Sequence, residues 1–441
     1  MRLPSKRWGW IGLGLLLAIG ATLAVRAWVV PAVIVGRIQA IYGGQVAIRD
    51  WWLNGNSAGV VGLVLHEGEG SDSPAWATAD RVETDLSLGG LLRGRFLPRR
   101  VVLRSPRVVL RIDRDGQLLT RLPVKGGGGE SSIPEVVIEG GEVTFRQAGR
   151  PEMTVVGVEA RLVPASAGAR LSARTADPNW GPSPWTAEGR FGEGFRSGEI
   201  RLAGPRVAAN LAKVARIPFV PPSVWDHVQP NGPLGVLLTM SWGPSPAPGL
   251  RVATTVTLEG ATVGLPTLGL TANGATGRME IEGGVVRLAG VAGRAIGGTI
   301  AADGALDFST EPPQFDLRLD LDGLDVAATP KSWQLDEAGV TGRLTGKAHL
   351  KVTLTPQGAD LTGTTGEATV TGGTIEGIAV KSLRLVMRAE GDDLRYEAGG
   401  SEAEAWLGGA VLDLVALQVP PRGTKSDAKP KEPPQSPPRR G

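Results

Sequence analysis

The 441-residue chain contains no cysteine, so disulfides and thiolate-bound metals are excluded from its chemistry. That absence suits an oxidising compartment without assigning one. Aromatic residues are scarce at 5%, too few to fill a thick layer between large facing surfaces. Net charge is only +3, which excludes the broad electrostatic footprint of a nucleic-acid binder. The three histidines, His66, His227 and His349, lie far apart and show neither HExxH nor HxH spacing. Asp320-Leu321-Asp322-Gly323 is incomplete as a calcium loop, because Arg318 takes the first ligand place and Thr329 the twelfth. It reads as a charged strand face followed by a turn. Gly342 to Lys347 falls one residue short of phosphate-loop spacing, and Ala348 stands where Ser or Thr is needed, so this stretch reads as a hairpin. No catalytic residue, metal ligand or cofactor is assigned, and the chain reads as non-enzymatic.

Glycine (64 residues) and proline (33) are abundant, and mean hydropathy is 0.00 with 41% hydrophobic residues. Such usage favours many short strands joined by tight turns over helical layers. The expected class is mainly β, with few helices.

The N-terminus has a different texture. Arg2, Lys6 and Arg7 precede an uncharged run from Trp10 to Val25 that includes Leu15, Leu16, Leu17, Ile19 and Leu23. With its flanks this run makes about 20 helical residues, roughly 30 Å, enough to span a bilayer. Trp8, Trp10 and Trp28 would mark the interfaces. The basic end predicts a cytoplasmic N-terminus, a single-pass anchor over residues 1–30, and export of everything after it. A cleaved signal peptide is the alternative, with Thr22-Leu23-Ala24 as its small-residue site. The basic flank and the apolar run together point to a bacterial inner membrane with the bulk of the chain in the periplasm.

Beyond the anchor, Pro31 to Tyr42 has helical spacing and ends at Gly43-Gly44. A helix-plus-strand module is expected over residues 31–125, a Gly-rich linker over 126–132, and a β region over 133–204. Pro205 to Pro233 reads as a short helical insert, with Val207 to Arg216 at helical spacing. Residues 234–418 follow one grammar, a strand of about eight residues and then a Gly-containing turn. Pro420 to Gly441 carries seven prolines and six basic residues, so 419–441 is expected to be a disordered tail.

The clearest strands are greasy on one side and charged on the other. Phe315, Leu317, Leu319 and Leu321 alternate with Asp316, Arg318, Asp320 and Asp322. Leu350, Val352 and Leu354 alternate with Lys351 and Thr353, and Val256 and Leu258 share a side in the same way. These are the marks of antiparallel strands wetted on one side. The apolar side must close on itself, as in a dry sandwich or solenoid, or form a trough that receives acyl chains at about 0.8 kcal/mol per buried CH₂. Periodicity leaves both open; the scarcity of large side chains favours the trough, in which Leu317→Asp would leave the chain folded.

The order of elements resembles the AsmA-like family of envelope proteins, relatives of TamB-type and chorein-type lipid-transfer proteins. The resemblance rests on Gly43-Gly44 with Val46-Ala47-Ile48, on Trp76 to Val82, and on Leu86 to Gly94 followed by Val102 to Leu110 and Asp113 to Gly116. In the C-terminal half it rests on Gly297 to Ile300 with Asp303-Gly304, on Phe315 to Val326, and on Gly339 to Gly346. Together these cover most of residues 8–390. The resemblance implies a curved antiparallel groove, β-taco-like, that carries or shelters phospholipid or supports outer-membrane assembly. Its groove would be lined by the nine apolar residues named above. Envelope partners or self-association are implied as well, because about twenty strands stacked at roughly 4.8 Å reach only on the order of 100 Å. The other class left open is a structural envelope scaffold with a dry core.

Nine arginines, among them Arg93, Arg95, Arg99 and Arg100, fall between residues 93 and 121 against only Asp113 and Asp115. They read either as a solvated strand face or as a contact for anionic headgroups, where each is worth about 1 kcal/mol.

Overall fold

The computed structural model describes residues 44–398, apart from 55–56, 68–72, most of 88–96, 115–116, 121–133, 244–248, 334–338 and a few shorter breaks, together with residues 35–36, 38–39, 404–407 and 410–413. The fold is mainly β with few helices, as expected. Two compact units divide within residues 295–311: residues 1–294 with 305–311, and residues 295–304 with those from 312 onward. The division therefore falls inside the stretch expected to be one run of repeats, not at the helical insert.

In the first unit, β1 (Val46–Ala47) and β2 (Asp50–Leu53) both pair with β3 (Ala58–His66). The sheet continues neighbour to neighbour through β4 (Ala75–Thr84), β5 (Arg100–Ile112), β6 (Glu135–Gln147), β7 (Met153–Ala165), β8 (Gly168–Thr175) and β9 (Trp185–Phe191). It goes on through β10 (Gly198–Ala209), β11 (Gln229–Gly243), β12 (Gly249–Leu265), β13 (Leu270–Glu282) and β14 (Val285–Ala295). All these pairings are antiparallel except β5 with β6. The parallel pair follows from the long connection between Ile112 and Glu135, since parallel neighbours need a crossover that a two-residue turn cannot supply.

Among the described residues helix is confined to small pieces. Residues 35–36 and 38–39 are helical, and Val35 and Ile38 pack on a core of Val46, Val60, Leu63, Ala79 and Val82. The insert holds α1 (Leu211–Val214) and α2 (Pro222–His227), and the Asn210 side chain caps α1 by accepting the Lys213 N–H at 2.9 Å. The helix expected from Val207 starts later: Val207 and Ala209 are the last buried positions of β10 and alternate with exposed neighbours at period two. Among the described residues no helix is long and apolar enough to cross a membrane. The expected anchor, including Trp10, Leu15, Leu16, Leu17, Ile19, Leu23 and Val25, lies outside the described residues. So do the Gly-rich linker and the proline-rich tail.

The second unit is built on β16 (Gln314–Asp325), β17 (Arg343–Thr355), β19 (Thr365–Ile375) and β20 (Ile378–Glu390), paired in that order. β15 (Gly298–Asp307) has residues in both units, and β18 (Gly358–Asp360) pairs with the end of β17. β21 (Asp393–Ala398) and β22 (Glu404–Leu407) pair with β20, and β23 (Ala410–Asp413) pairs with β22. Gly342 leads directly into β17, and Arg343 to Lys347 is the start of that strand and not a hairpin.

Strands run up to 17 residues, twice the expected eight, because several glycines read as turns are β-bulges. Gly323 (φ +63°) sits in β16 where the register shifts between Leu321 and Leu324. The inward residues are odd-numbered up to Leu321 and even-numbered from Leu324, so one extra residue keeps a long strand apolar on a single side. Gly140 does the same in β6, where inward positions change from Val136 and Ile138 to Val143 and Phe145.

Candidate functional site

One row of side chains crosses the first unit at right angles to its strands. Direct cross-strand partners link Val60, Val82, Leu103, Ile138, Ala160, Ala173 and Ala187 on β3 to β9. The row continues through Leu202, Leu238, Thr254, Ile281 and Val286 on β10 to β14. Directly opposed residues share a face, so twelve consecutive strands place eleven apolar side chains and one threonine on the same side. At the usual strand spacing the row is roughly 50 Å long. Three consecutive alanines make its centre low, and larger residues stand at both ends.

Burial varies along the row. Val60, Val82, Ala160, Thr254, Ile281 and Val286 are buried, whereas Leu103, Ile138, Ala173, Ala187, Leu202 and Leu238 are only half-buried. A second row, toward the start of β5, joins Val101, Val136, Leu162, Leu171, Gly189, Ile200, Met240 and Val252. Apart from Gly189, all of these are half-buried too. The two rows form a band that retains access from outside. In the other direction along the strands the face closes: Val207, Leu234 and Leu258 are opposed in sequence and are 4%, 3% and 2% exposed.

The expected lining residues occupy the expected side. Phe315 faces Val352 and Leu317 faces Leu350, while Val256 and Leu258 lie on the first unit's apolar side. Phe315, Leu317, Leu319, Leu321, Val352, Val256 and Leu258 are buried; Leu350 and Leu354 are half-buried. An open trough was expected at Leu317, and the structure corrects this: at 5% exposure Leu317 is packed. In the second unit Leu324, Leu344, Val370 and Leu383 form an almost fully buried row. The accessible apolar floor lies chiefly between β5 and β12. Alternation identifies which side is apolar, but only the burial of each side chain separates packed rows from accessible ones.

The opposite face is charged and internally paired. Arg104 lies beside Glu83 at 3.2 Å and Glu139 at 3.7 Å, Arg161 beside Glu135 at 2.7 Å, and Arg174 beside Glu159 at 2.7 Å. Shallow concavities of about 800 Å³ around Glu159 and Arg161, and about 780 Å³ around Lys347 and Glu367, lie on this charged side. Arg384 and Lys347 in the second hollow pair with Glu367 and Asp320. Their charges are already matched.

The arginine cluster divides. Arg104 and Arg111 are held in ion pairs, Arg111 through a two-point contact with the buried carboxylate of Glu67. Arg93, Arg99 and Arg100 are exposed and form no ion pair among the described residues; the backbone N–H groups of Arg99 and Arg100 are donated to Asp85. Arg95 lies outside the described residues. His227, stacked on Phe308 at 5.7 Å, has its pKa lowered by burial and partly restored by Asp226. His349 bonds Asp316 at 2.7 Å across two strands, and His66 bonds the Ser73 carbonyl at 2.6 Å. No group of three or more metal-binding side chains occurs among the described residues. Gly55-Asn56-Ser57-Ala58-Gly59 spells the GxSxG nucleophile elbow, a pattern the sequence was expected to lack. Yet Ser57 joins two antiparallel strands, its carbonyl accepting the Asn54 N–H at 2.7 Å, where the elbow requires a strand leading into a helix. In comparisons with known proteins, the chain matches no family model and no curated sequence.

Proposed function

We propose that this chain is an inner-membrane-anchored, periplasmic envelope protein of the AsmA-like type that shelters phospholipid acyl chains along its apolar sheet face. Such sheltering would serve intermembrane lipid transport and outer-membrane biogenesis. The observation that carries the reading is the twelve-strand row from Val60 to Val286 with its half-buried centre. An acyl chain laid on that band gains about 0.8 kcal/mol for each CH₂ removed from water. The three central alanines leave depth for it, and the scarcity of aromatic residues leaves little to fill the space otherwise.

A photoreactive residue at Leu238, in the full chain extracted with mild detergent, should crosslink phospholipid, while the same residue at the outward-facing Thr239 should not. Equal labelling at both positions, or none at Leu238, contradicts the proposal. The second reading, an envelope scaffold with a dry core, is favoured by the nearly complete burial of Leu324, Leu344, Val370 and Leu383. It predicts that neither position captures lipid.

A further inference from the structure

The strand ends beside the accessible band carry a second pattern. Arg100 opens β5, and on the same rim Arg170 of β8 stands directly opposite Arg190 of β9, which in turn faces Glu199 of β10. Glu199 faces Ser241 of β11, and Ser241 faces Arg251 of β12. Like charges set directly across two strands repel. Glu199 does not relieve them, since its carboxylate is held by Arg201 at 2.6 Å. Arg99, Arg100, Arg170, Arg190, Arg196 and Arg251 are all exposed and form no ion pair among the described residues. Glu135 on this rim is likewise taken, by Arg161. Among the described residues, that leaves Asp85, Glu193 and Glu282 as the opposing carboxylates on this rim.

An aromatic cluster sits in the same place. The turn between β9 and β10 presents Phe195 at φ +57°, a strained conformation for a bulky residue, and the residue is 42% exposed. Phe191 lies 5.2 Å from it and 5.8 Å from Trp242, whose Nε1–H is donated to the Phe195 carbonyl at 3.0 Å. Trp242 stands across from Leu250 at the end of the half-buried apolar face. An exposed ring, an amphipathic tryptophan and a fringe of free guanidinium groups together match an anionic bilayer surface: the rings suit the interface and the arginines suit phosphate.

We propose that this rim, from Arg99 to Arg251 and centred on Phe195, docks on an anionic phospholipid surface and opens the apolar band toward it. This rests on the lipid-sheltering reading, and it names the place where lipid enters. The chain has no cysteine, so a single cysteine can carry a probe. The test uses the full chain in nanodiscs of neutral lipid, with a nitrobenzoxadiazole label on Phe195→Cys. Vesicles of phosphatidylcholine with or without phosphatidylglycerol are then added. Phosphatidylglycerol vesicles should shift the label to the blue and brighten it, neutral vesicles should not, and a label on Val156→Cys, at the other end of β7, should stay unchanged. In R170Q/R190Q the lipid needed for half-maximal response should rise about thirtyfold. A silent label at residue 195, an equal response to neutral vesicles or at residue 156, or an unaltered R170Q/R190Q response overturns the proposal. Crosslinking of lipid at Leu238 separates the two failures: lipid there without docking removes only the rim, whereas docking without lipid there removes only the sheltering.

Discussion

Leu202 and Leu238 face each other across adjacent antiparallel strands, both half-buried, with Ala187 beyond one and Thr254 beyond the other. Their partial exposure, on a face whose ends are closed, is what separates an accessible floor from a core. A carboxylate should therefore be tolerated at one place and not at the other. Leu238→Asp should stay folded, losing no more than about 2 kcal/mol, because water can reach the charge. Leu258→Asp, at 2% exposure, should lose several kcal/mol and much of the folded yield. Urea unfolding of the two variants checks this, and comparable losses would show that the floor is packed throughout.

In the second unit the packed row predicts ordinary core behaviour. Leu344→Ala and Leu383→Ala should each destabilise by about 2–5 kcal/mol, the range for deleting a buried leucine side chain. Denaturant midpoints are the measurement. Losses under about 1 kcal/mol would show that this row can relax or admit water.

How much of this was legible beforehand varies from residue to residue. Alternation at Phe315 to Leu321 is unbroken, so the sidedness of β16 is readable directly. Where Gly323 inserts one residue, the apolar set changes from odd to even positions, and a reader counting in twos ends the strand there. The twelve-residue row is hidden for a related reason. It depends on which residue of one strand meets which of the next, and that register is set by bulges and turns acting between distant segments. The rim arginines are dispersed from residue 99 to residue 251, and only strand pairing brings Arg170 opposite Arg190.

The bulges themselves make a contrast between two glycines. Gly323 has positive φ and open space where a side chain would project, so Gly323→Asn should cost about 1 kcal/mol or less. A Cβ at Gly373 would lie 1.7 Å from the Thr341 carbonyl oxygen, so Gly373→Ala must move backbone and should cost several times more. Thermal unfolding of the pair decides, and equal costs would mean that the strands reseat freely.

Arg150 ties the turn after β6 to the helical insert, donating from its two terminal nitrogens to the carbonyls of Ile217 and Val220. Arg150→Ala leaves those acceptors unpaired and should cost about 1–3 kcal/mol. Arg150→Lys should recover only part of this, because one ammonium cannot reproduce the forked geometry. Limited proteolysis between residues 210 and 228 should quicken in both variants, and unchanged cleavage would remove Arg150 from this role.

The half-buried band is proposed to hold lipid. Native mass spectrometry of the full chain, extracted gently, measures this most directly. The account predicts phospholipid retained in stoichiometric amounts by the natural chain and largely lost from Ala173→Trp, which raises the floor at its lowest point while the variant stays folded. A natural chain free of phospholipid, or an Ala173→Trp variant that retains as much as the natural chain, would contradict it.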